Sequence, residues 1–391
     1  MIKTVKVMLL PNNKQRTVMF KFASVARYAY NWALEKERVN YKLGGKFISD
    51  SELRKQFTQF KHIEENLWLN KISNNVTKQA IKDACDAYKR FFKKLSSLPR
   101  FKSRKYTKPS FYQDTAKIKF TSTHVKLESI SSSKKRNRQR LNWVRLAEHN
   151  RIPIDAKYIN PRRTYDGLNW WVSVSIEYPD TSYVSNGEGI GIDLGIKNFA
   201  ICSDSVIYKN INKTEHIRKI KKKQRRLQRK ISKKYLKNKK GGNYCKTKNV
   251  IKLEKLLLKI NHKLSNIRKN YLHQVSTEII KREPSFICLE TLNVSGMMKN
   301  KCLSRAVQEQ NFYSFRQMIE YKSKEYNINV VFADRFYPSS KTCSCCGYIK
   351  KDLKLSDRVY VCPECGNTID RDFQAAINLK KYGENNLHMN T

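Results

Sequence analysis

Four cysteines constrain this chain more than any other feature. Cys343 and Cys346, then Cys362 and Cys365, form two CxxC pairs separated by fifteen residues. A CxxC on a tight turn aims two thiolates at one point, and Gly347 and Gly366 follow the pairs where knuckle turns need them. Four thiolates make a closed tetrahedral site, which suits a structural Zn2+ and leaves no position open for water. Such a ribbon folds around its ion. Half of the ten cysteines fall within residues 343–365, and that clustering argues for metal ligation rather than disulfides. Cys345, between the ligands, reads as a bystander.

Charge decides the partner. The 391 residues carry 80 Lys plus Arg against 33 Asp plus Glu, a formal net charge of +47. Repulsion of that size opposes a compact state unless a polyanion offsets it, which argues against an ordinary metabolic enzyme and for nucleic acid. Residues 209–270 hold 24 Lys plus Arg and 2 acids, with Gly241-Gly242 between two helical arms. Leu253, Leu256, Leu257, Ile260, Leu264, Ile267 and Tyr271 recur at helical steps, so this stretch reads as a hairpin with a narrow apolar seam and basic outer faces. Arg225, Arg226 and Arg229 on its first arm are candidate phosphate contacts. Lys78, Lys82, Arg100, Lys102 and Arg104 are the candidates in the N-terminal half, where aromatics such as Tyr28, Tyr30 and Trp32 interleave with cations.

No apolar run approaches the roughly 18 residues needed to cross a bilayer, and the first residues carry no cleavage-site pattern, so the expected location is the cytoplasm. Residues 3–10 read as a strand. Helices follow over 14–42, over 51–61 with Asp50 or Ser51 as cap, and from Asn74 or Asn75 to Lys94. Residues 116–127, 141–147 and 170–178 read as strands of a β-rich domain, interrupted by the basic loop at 134–140. A linker is expected at 183–189. Beyond it come strands GIGID, NFAIC, SVIY and FICLE, a helix near 305–326, strand INVVFAD at 328–334 and a last helix from Asp372.

Three acids stand out in so basic a chain. Asp193 closes one apolar strand, Glu290 closes another, and Asp372 or Asp370 opens the last helix. Any one alone could be a cap or an ion-pair partner, Asp372 most readily. Their order along the chain is what an RNase H-like nuclease core needs. Three such carboxylates could hold two Mg2+ ions, one activating a water and the other stabilising the leaving 3′ oxygen of a phosphodiester.

The segments GIGIDLGIKNFA (189–200), ICLETLNVSGMMKN (287–300), ADRFYPSSKTCSCCG (333–347) and CPECGNTIDRDFQAAINL (362–379) resemble the TnpB family. Its members are transposon-encoded RNA-guided DNA nucleases related to type V CRISPR effectors. The resemblance implies a multidomain α+β fold. Residues 1–12 and 96–184 would form a wedge-like β-barrel, with a helical recognition insertion at 13–95. Residues 185–391 would form a RuvC-like α/β nuclease domain, containing the basic hairpin (208–275) and the zinc ribbon (340–368). By position, Asp193, Glu290 and Asp372 would be the catalytic, Mg2+-binding acids. Gln374 stands where the family has Asn. The implied partners are a guide RNA and double-stranded target DNA beside a short flanking motif, bound by a monomer. Zinc removal is expected to unfold the ribbon and leave Mg2+ on the carboxylates.

Three alternatives compete with that reading. One is a guided DNA-binding regulator of the same fold without cleavage, and the intact acid set argues against it. A DDE-type transposase would lack the cysteine ribbon between its second and third acids. A basic RNA-packaging protein would not need the acids.

Overall fold

The computed structural model of the chain describes residues 1–128, 142–179, 187–354 and 356–388. The expected basic loop at 134–140 lies outside these residues, as does most of the expected linker at 183–189. The chain divides into two compact units, Met1–Pro179 and Asp180–Thr391. Among the described residues, no helix is long and apolar enough to cross a membrane.

The first unit is built on an antiparallel six-stranded sheet. Its strands are β1 (Ile2–Leu10), β2 (Ser110–Tyr112), β3 (His124–Lys126), β4 (Trp143–Leu146), β5 (Tyr158–Tyr165) and β6 (Trp170–Glu177), in the order β2-β5-β6-β1-β4-β3. Strict alternation buries Trp170, Val172, Val174 and Ile176 of β6, and pairs Val172 with Val7 and Trp170 with Leu9 of β1. β5 has no such alternation. Pro161 interrupts it, the register shifts between Ile159 and Arg162, and Asn160 takes φ 48°. A bulge of this kind admits Pro inside a sheet, and for that reason a pattern search passes over the strand.

β2 and β3 are the two edges of this sheet, so it is not a closed barrel in its backbone pairing among the described residues. Side chains bridge the edges instead. Gln113, just past β2, donates to the Lys126 carbonyl of β3 at 3.0 Å. Arg163 of β5 donates to the same carbonyl at 3.1 Å and also to Gln113. Arg163 has no exposed surface, and burial lowers its guanidinium to about 9 against the pull of Glu128.

Between β1 and β2 the chain forms α1 (Asn13–Lys42), α2 (Asp50–His62) and α3 (Asn74–Phe92). Asn12 and Gln15 make a reciprocal capping box at the start of α1. The caps of α2 and α3 are Ser49 and Ser73, each one residue before the position expected. Phe22, Ala26, Ala29 and Ala33 of α1 and Ala80, Ile81 and Ala84 of α3 are buried in one core with the sheet.

In the second unit, β7 (Ile190–Leu194), β8 (Asn198–Cys202), β9 (Ile207–Lys209), β12 (Phe286–Glu290) and β13 (Asn329–Ala333) form a sheet in the order β13-β12-β7-β8-β9. β7, β8 and β9 are antiparallel, while β12 runs parallel to both β7 and β13. Helices α4 (Glu215–Lys237) and α5 (Lys248–Ile280) form the hairpin, and two-residue strands β10 (Lys239–Lys240) and β11 (Asn243–Tyr244) close its tip. The seam is shallower than its spacing suggests. Leu264 is buried, Leu253, Leu257 and Ile260 are half-buried, and Leu256 is 48 % exposed.

The helix expected near 305–326 is two, α7 (Ser304–Gln310) and α8 (Phe312–Glu325), after the short α6 (Val294–Lys299). Asn311 breaks it with a left-handed backbone, φ 56°. A two-stranded ribbon of β14 (Val359–Val361) and β15 (Thr368–Asp370) then leads into α9 (Arg371–His388).

Candidate active site and cysteine centre

Cys343, Cys346, Cys362 and Cys365 bring their sulfurs within 4.8 Å of one another. The Cys343–Cys365 and Cys346–Cys362 sulfur separations are 3.6 and 3.5 Å, far beyond a disulfide bond and close to the edge, about 3.8 Å, of a tetrahedron with 2.3 Å Zn–S bonds. Gly347 and Gly366 take φ 80° and 68°, the left-handed turn each knuckle needs. Burial opposes ionisation of Cys343, but backbone N–H groups from Cys346 and Cys345 and the facing sulfurs bring its thiol down to about 6. The Asn367 amide favours the Cys365 thiolate, yet burial and the other sulfurs push it up to about 12. Four thiolates cannot all ionise at such spacing without a cation, so this donor set fits a thiophilic metal. Cys345 is exposed beside it.

Each of the three acids sits on a different element. Asp193 lies near the end of β7 and Glu290 ends β12, its neighbour in the sheet. Burial first, then the charges of Glu290 and Asp372, holds the Asp193 carboxyl well above the usual carboxylate range. Burial raises Glu290 to about 7, with Asp372 adding to the shift and a hydrogen bond from the Leu194 amide opposing it. The pair resists ionisation because each charge is poorly solvated and faces another of the same sign. A donor set of hard carboxylate oxygens in mutual repulsion fits divalent cations such as Mg2+.

The two aspartates at the start of the last helix have different surroundings. Asp370 accepts hydrogen bonds from the amides of Asp372 and Phe373 at 3.0 and 3.1 Å, so Asp370 is the cap. The capping role read for Asp372 therefore belongs to its neighbour. Asp372 is half-buried, 3.8 Å from Arg358 and within the field of the other two acids. Arg358 has no sequence signature that would have marked it.

The helix also carries the cysteine centre. Asn378 donates to the carbonyls of Ser339 and Thr342, both at 2.7 Å, and Lys381 donates to the carbonyl of Ser344 between the first two ligands. Gln374 has no exposed surface, accepts from the Ser344 amide at 3.5 Å, and has no partner for its amide nitrogen among the described residues.

Three family models match the chain. One described as a helix-turn-helix domain of OrfB/IS605 covers residues 1–46, one described as a probable transposase, OrfB_IS605, covers 173–301, and a Cas12f1-like TNB domain covers 312–379. InsQ of Escherichia coli (strain K12), provisionally named an RNA-guided DNA endonuclease, is 26 % identical over 98 % of this chain and 92 % of its own length. TnpB-like protein L79 of Acanthamoeba polyphaga mimivirus is 34 % identical over 34 % of this chain and 26 % of its own length. These matches show a chain similar along its whole length to proteins of the TnpB kind. The chain also shares its fold with the protein of a solved Cas12f1–sgRNA–target DNA complex, at TM-score 0.58 and 14 % identity, covering 97 % of this chain and 98 % of that one.

The expected nucleic-acid contacts fall into two groups. Lys78, Lys82, Arg100, Arg104, Arg225, Arg226 and Arg229 are exposed. Lys102 is different: it is half-buried, its ammonium lies 3.5 Å from the centre of the Tyr30 ring, and burial lowers its pKa. It lines a cavity of about 970 Å3 in the first unit, together with Arg27, Arg104, Tyr112 and Arg162. Asp83 and Arg162 form a bidentate pair on that wall, at 2.7 and 2.8 Å.

Proposed function

We propose that this protein is a TnpB-family RNA-guided DNA endonuclease that hydrolyses phosphodiester bonds at Asp193, Glu290 and Asp372. The observation that carries the reading is the placement of three lone carboxylates: Asp193 and Glu290 on the paired strands β7 and β12, and Asp372 in the first turn of α9, whose backbone packs on β7, in a chain of net charge +47. The order β9-β8-β7-β12-β13, three antiparallel strands followed by two parallel ones, supports an RNase H-like, RuvC-type core. Full-length relatives provisionally named RNA-guided DNA endonucleases support the substrate class.

In this reading the three carboxylates hold two Mg2+ ions, which when bound supply an activated water and stabilise the leaving 3′ oxygen. The Leu194 amide orients Glu290, and the Asp370 cap fixes the turn that presents Asp372. Arg358 meets the phosphate beside Asp372. Zn2+ at the four cysteines is structural, since they fill a tetrahedral shell.

The domain assignment follows from the same reading. Residues 1–12 and 96–184 form the wedge-like domain, 13–95 the recognition insertion, and 185–391 the nuclease domain with its hairpin and ribbon. The partners are a transposon-derived guide RNA, whose pairing reads the sequence, and target DNA beside a short flanking motif.

Asp193→Ala tests the assignment: cleavage of guided DNA is expected to vanish while guided binding persists, and unchanged cleavage sinks it. Sequencing the RNA that co-purifies with the protein tests guidance. A discrete species supports it, and a random population favours the packaging alternative. Wild-type protein that binds guided DNA without cutting would establish the regulator, and joined rather than hydrolysed strands the transposase.

A further inference from the structure

Phe336 is 85 % exposed, the highest value of any large apolar side chain among the described residues. Its position is not loose. The Asp334 carboxylate accepts the Phe336 amide at 2.8 Å, and the Asp334 carbonyl accepts that of Tyr337 at 3.1 Å. Tyr337 then turns inward: its ring centre lies 4.7 Å from that of Tyr382, and its hydroxyl donates to the Asn378 carbonyl at 3.2 Å. On the other side, Thr291 donates to the Ala333 carbonyl at 2.7 Å.

These anchors belong to the elements that carry the acids. Thr291 follows Glu290, and Asn378 and Tyr382 are on α9 with Asp372. Ala333 is the register partner of Glu290 in the parallel pair β12–β13. Phe336 comes three residues later, so its backbone is at most about 11 Å from Ala333. A tightly held turn thus keeps an aromatic ring in water three residues beyond the strand position that pairs with Glu290, with the exposed Arg335 next to it. A Phe ring held in water by a fixed turn offers a flat π-face on which a base can stack.

We propose that Phe336 stacks on an unpaired base of the DNA single strand entering the carboxylate site, while Arg335 contacts the adjoining phosphate. This rests on the nuclease reading above and adds a positioning residue to it. Stacking suits such a place because every base offers a π-face, so the strand is held without sequence preference. A strand held on this turn loses freedom that would otherwise scatter its phosphates.

The test uses the full-length protein with its co-purifying RNA. Phe336→Leu keeps apolar bulk and removes the stacking face; Phe336→Trp keeps the face. With single-stranded DNA as substrate, Phe336→Leu is expected to raise KM about 5- to 100-fold, with an unchanged thermal midpoint and a smaller effect on kcat. Phe336→Trp is expected to stay within about twofold of wild type. A readout free of activity is photocrosslinking of a 5-iodouracil-substituted single strand to the Asp193→Ala protein, read by mass spectrometry. A crosslink on Phe336 supports the proposal even if Asp193→Ala still cleaves, an outcome that would fault only the acid assignment. A crosslink confined to other residues, or Phe336→Leu kinetics equal to wild type, overturns it.

Discussion

Gly191 of β7 lies so close to α9 that a Cβ on it would stand 2.1 Å from the carbonyl oxygen of Ala376 and 2.4 Å from the amide of Lys380. Backbone packed on backbone leaves no side chain free to yield. This contact sets the distance between the strand that carries Asp193 and the helix that carries Asp372, four residues before Ala376.

Gly191→Ala therefore displaces α9 without touching a ligand. The expected cost is about 1–3 kcal/mol of stability, as for other overpacked cores. Cleavage should fall far more than that loss explains, because the Asp372 carboxylate moves relative to Asp193 and Glu290. Thermal melting and cleavage rates on one preparation check this. A destabilised variant with full activity would mean that the contact matters for folding alone.

This close approach shows what the sequence could and could not convey. GIGID reads as a strand and Asp193 as a lone acid closing it, because both follow from local pattern. The reason for its second glycine is a helix 185 residues away, which no local pattern encodes. The cysteine centre was legible for the opposite reason: ligand chemistry fixes spacing within each knuckle. β5 was lost because Pro161 and two arginines break its alternation, and Arg163, buried between the sheet edges, reads in sequence like any surface cation. The split of α7 from α8 turns on one left-handed residue, Asn311, which periodicity averages away.

The ties from α9 to the first knuckle couple the two candidate metal sites that the sequence presents as independent. Asn378, Lys381 and Gln374 hold backbone groups of residues 339–344, and those bonds need the knuckle folded. Purified protein is expected to contain one equivalent of zinc, and Cys362→Ser to lose it. The variant should then bind Mg2+ more weakly, since the first turn of α9 loses its support. Zinc analysis and a Mg2+ titration of cleavage decide the point. A zinc-free protein with wild-type Mg2+ dependence would show that the helix stands alone.

Lys322 gives a pH signature away from either centre. It is 9 % exposed in α8 and donates to the His273 carbonyl at 2.9 Å and to the hydroxyls of Ser276 and Thr277, both at 2.6 Å. Burial lowers its ammonium from 10.5 to about 8, only partly offset by Glu325. Between those values the folded chain binds fewer protons at this site than the unfolded chain, so its contribution to stability rises with pH from about 8 to 10.5. Lys322→Met removes the titration and keeps most of the volume. The melting temperature of wild type relative to this variant should climb between pH 7.5 and pH 10. A constant difference would place the ammonium in a more solvated setting.

The cations of the hairpin are not equivalent, and salt dependence can separate them. Lys221 and Arg268 both reach Glu309, at 2.5 and 3.3 Å, and Arg268 also donates to Asn212 at 2.7 Å. These partly buried pairs fasten the base of the hairpin to α7. Arg225, Arg226 and Arg229 on α4 are exposed and make no ion pair among the described residues. Replacing all three with Gln should weaken RNA binding and reduce the slope of log affinity against log salt by about 2–3, one condensed counterion per lost phosphate contact. Lys221→Gln should instead lower thermal stability and leave that slope nearly unchanged. Binding titrations at several salt concentrations measure both. An unaltered slope in the triple variant would move the RNA off this face of the hairpin and leave its charge to the target strand.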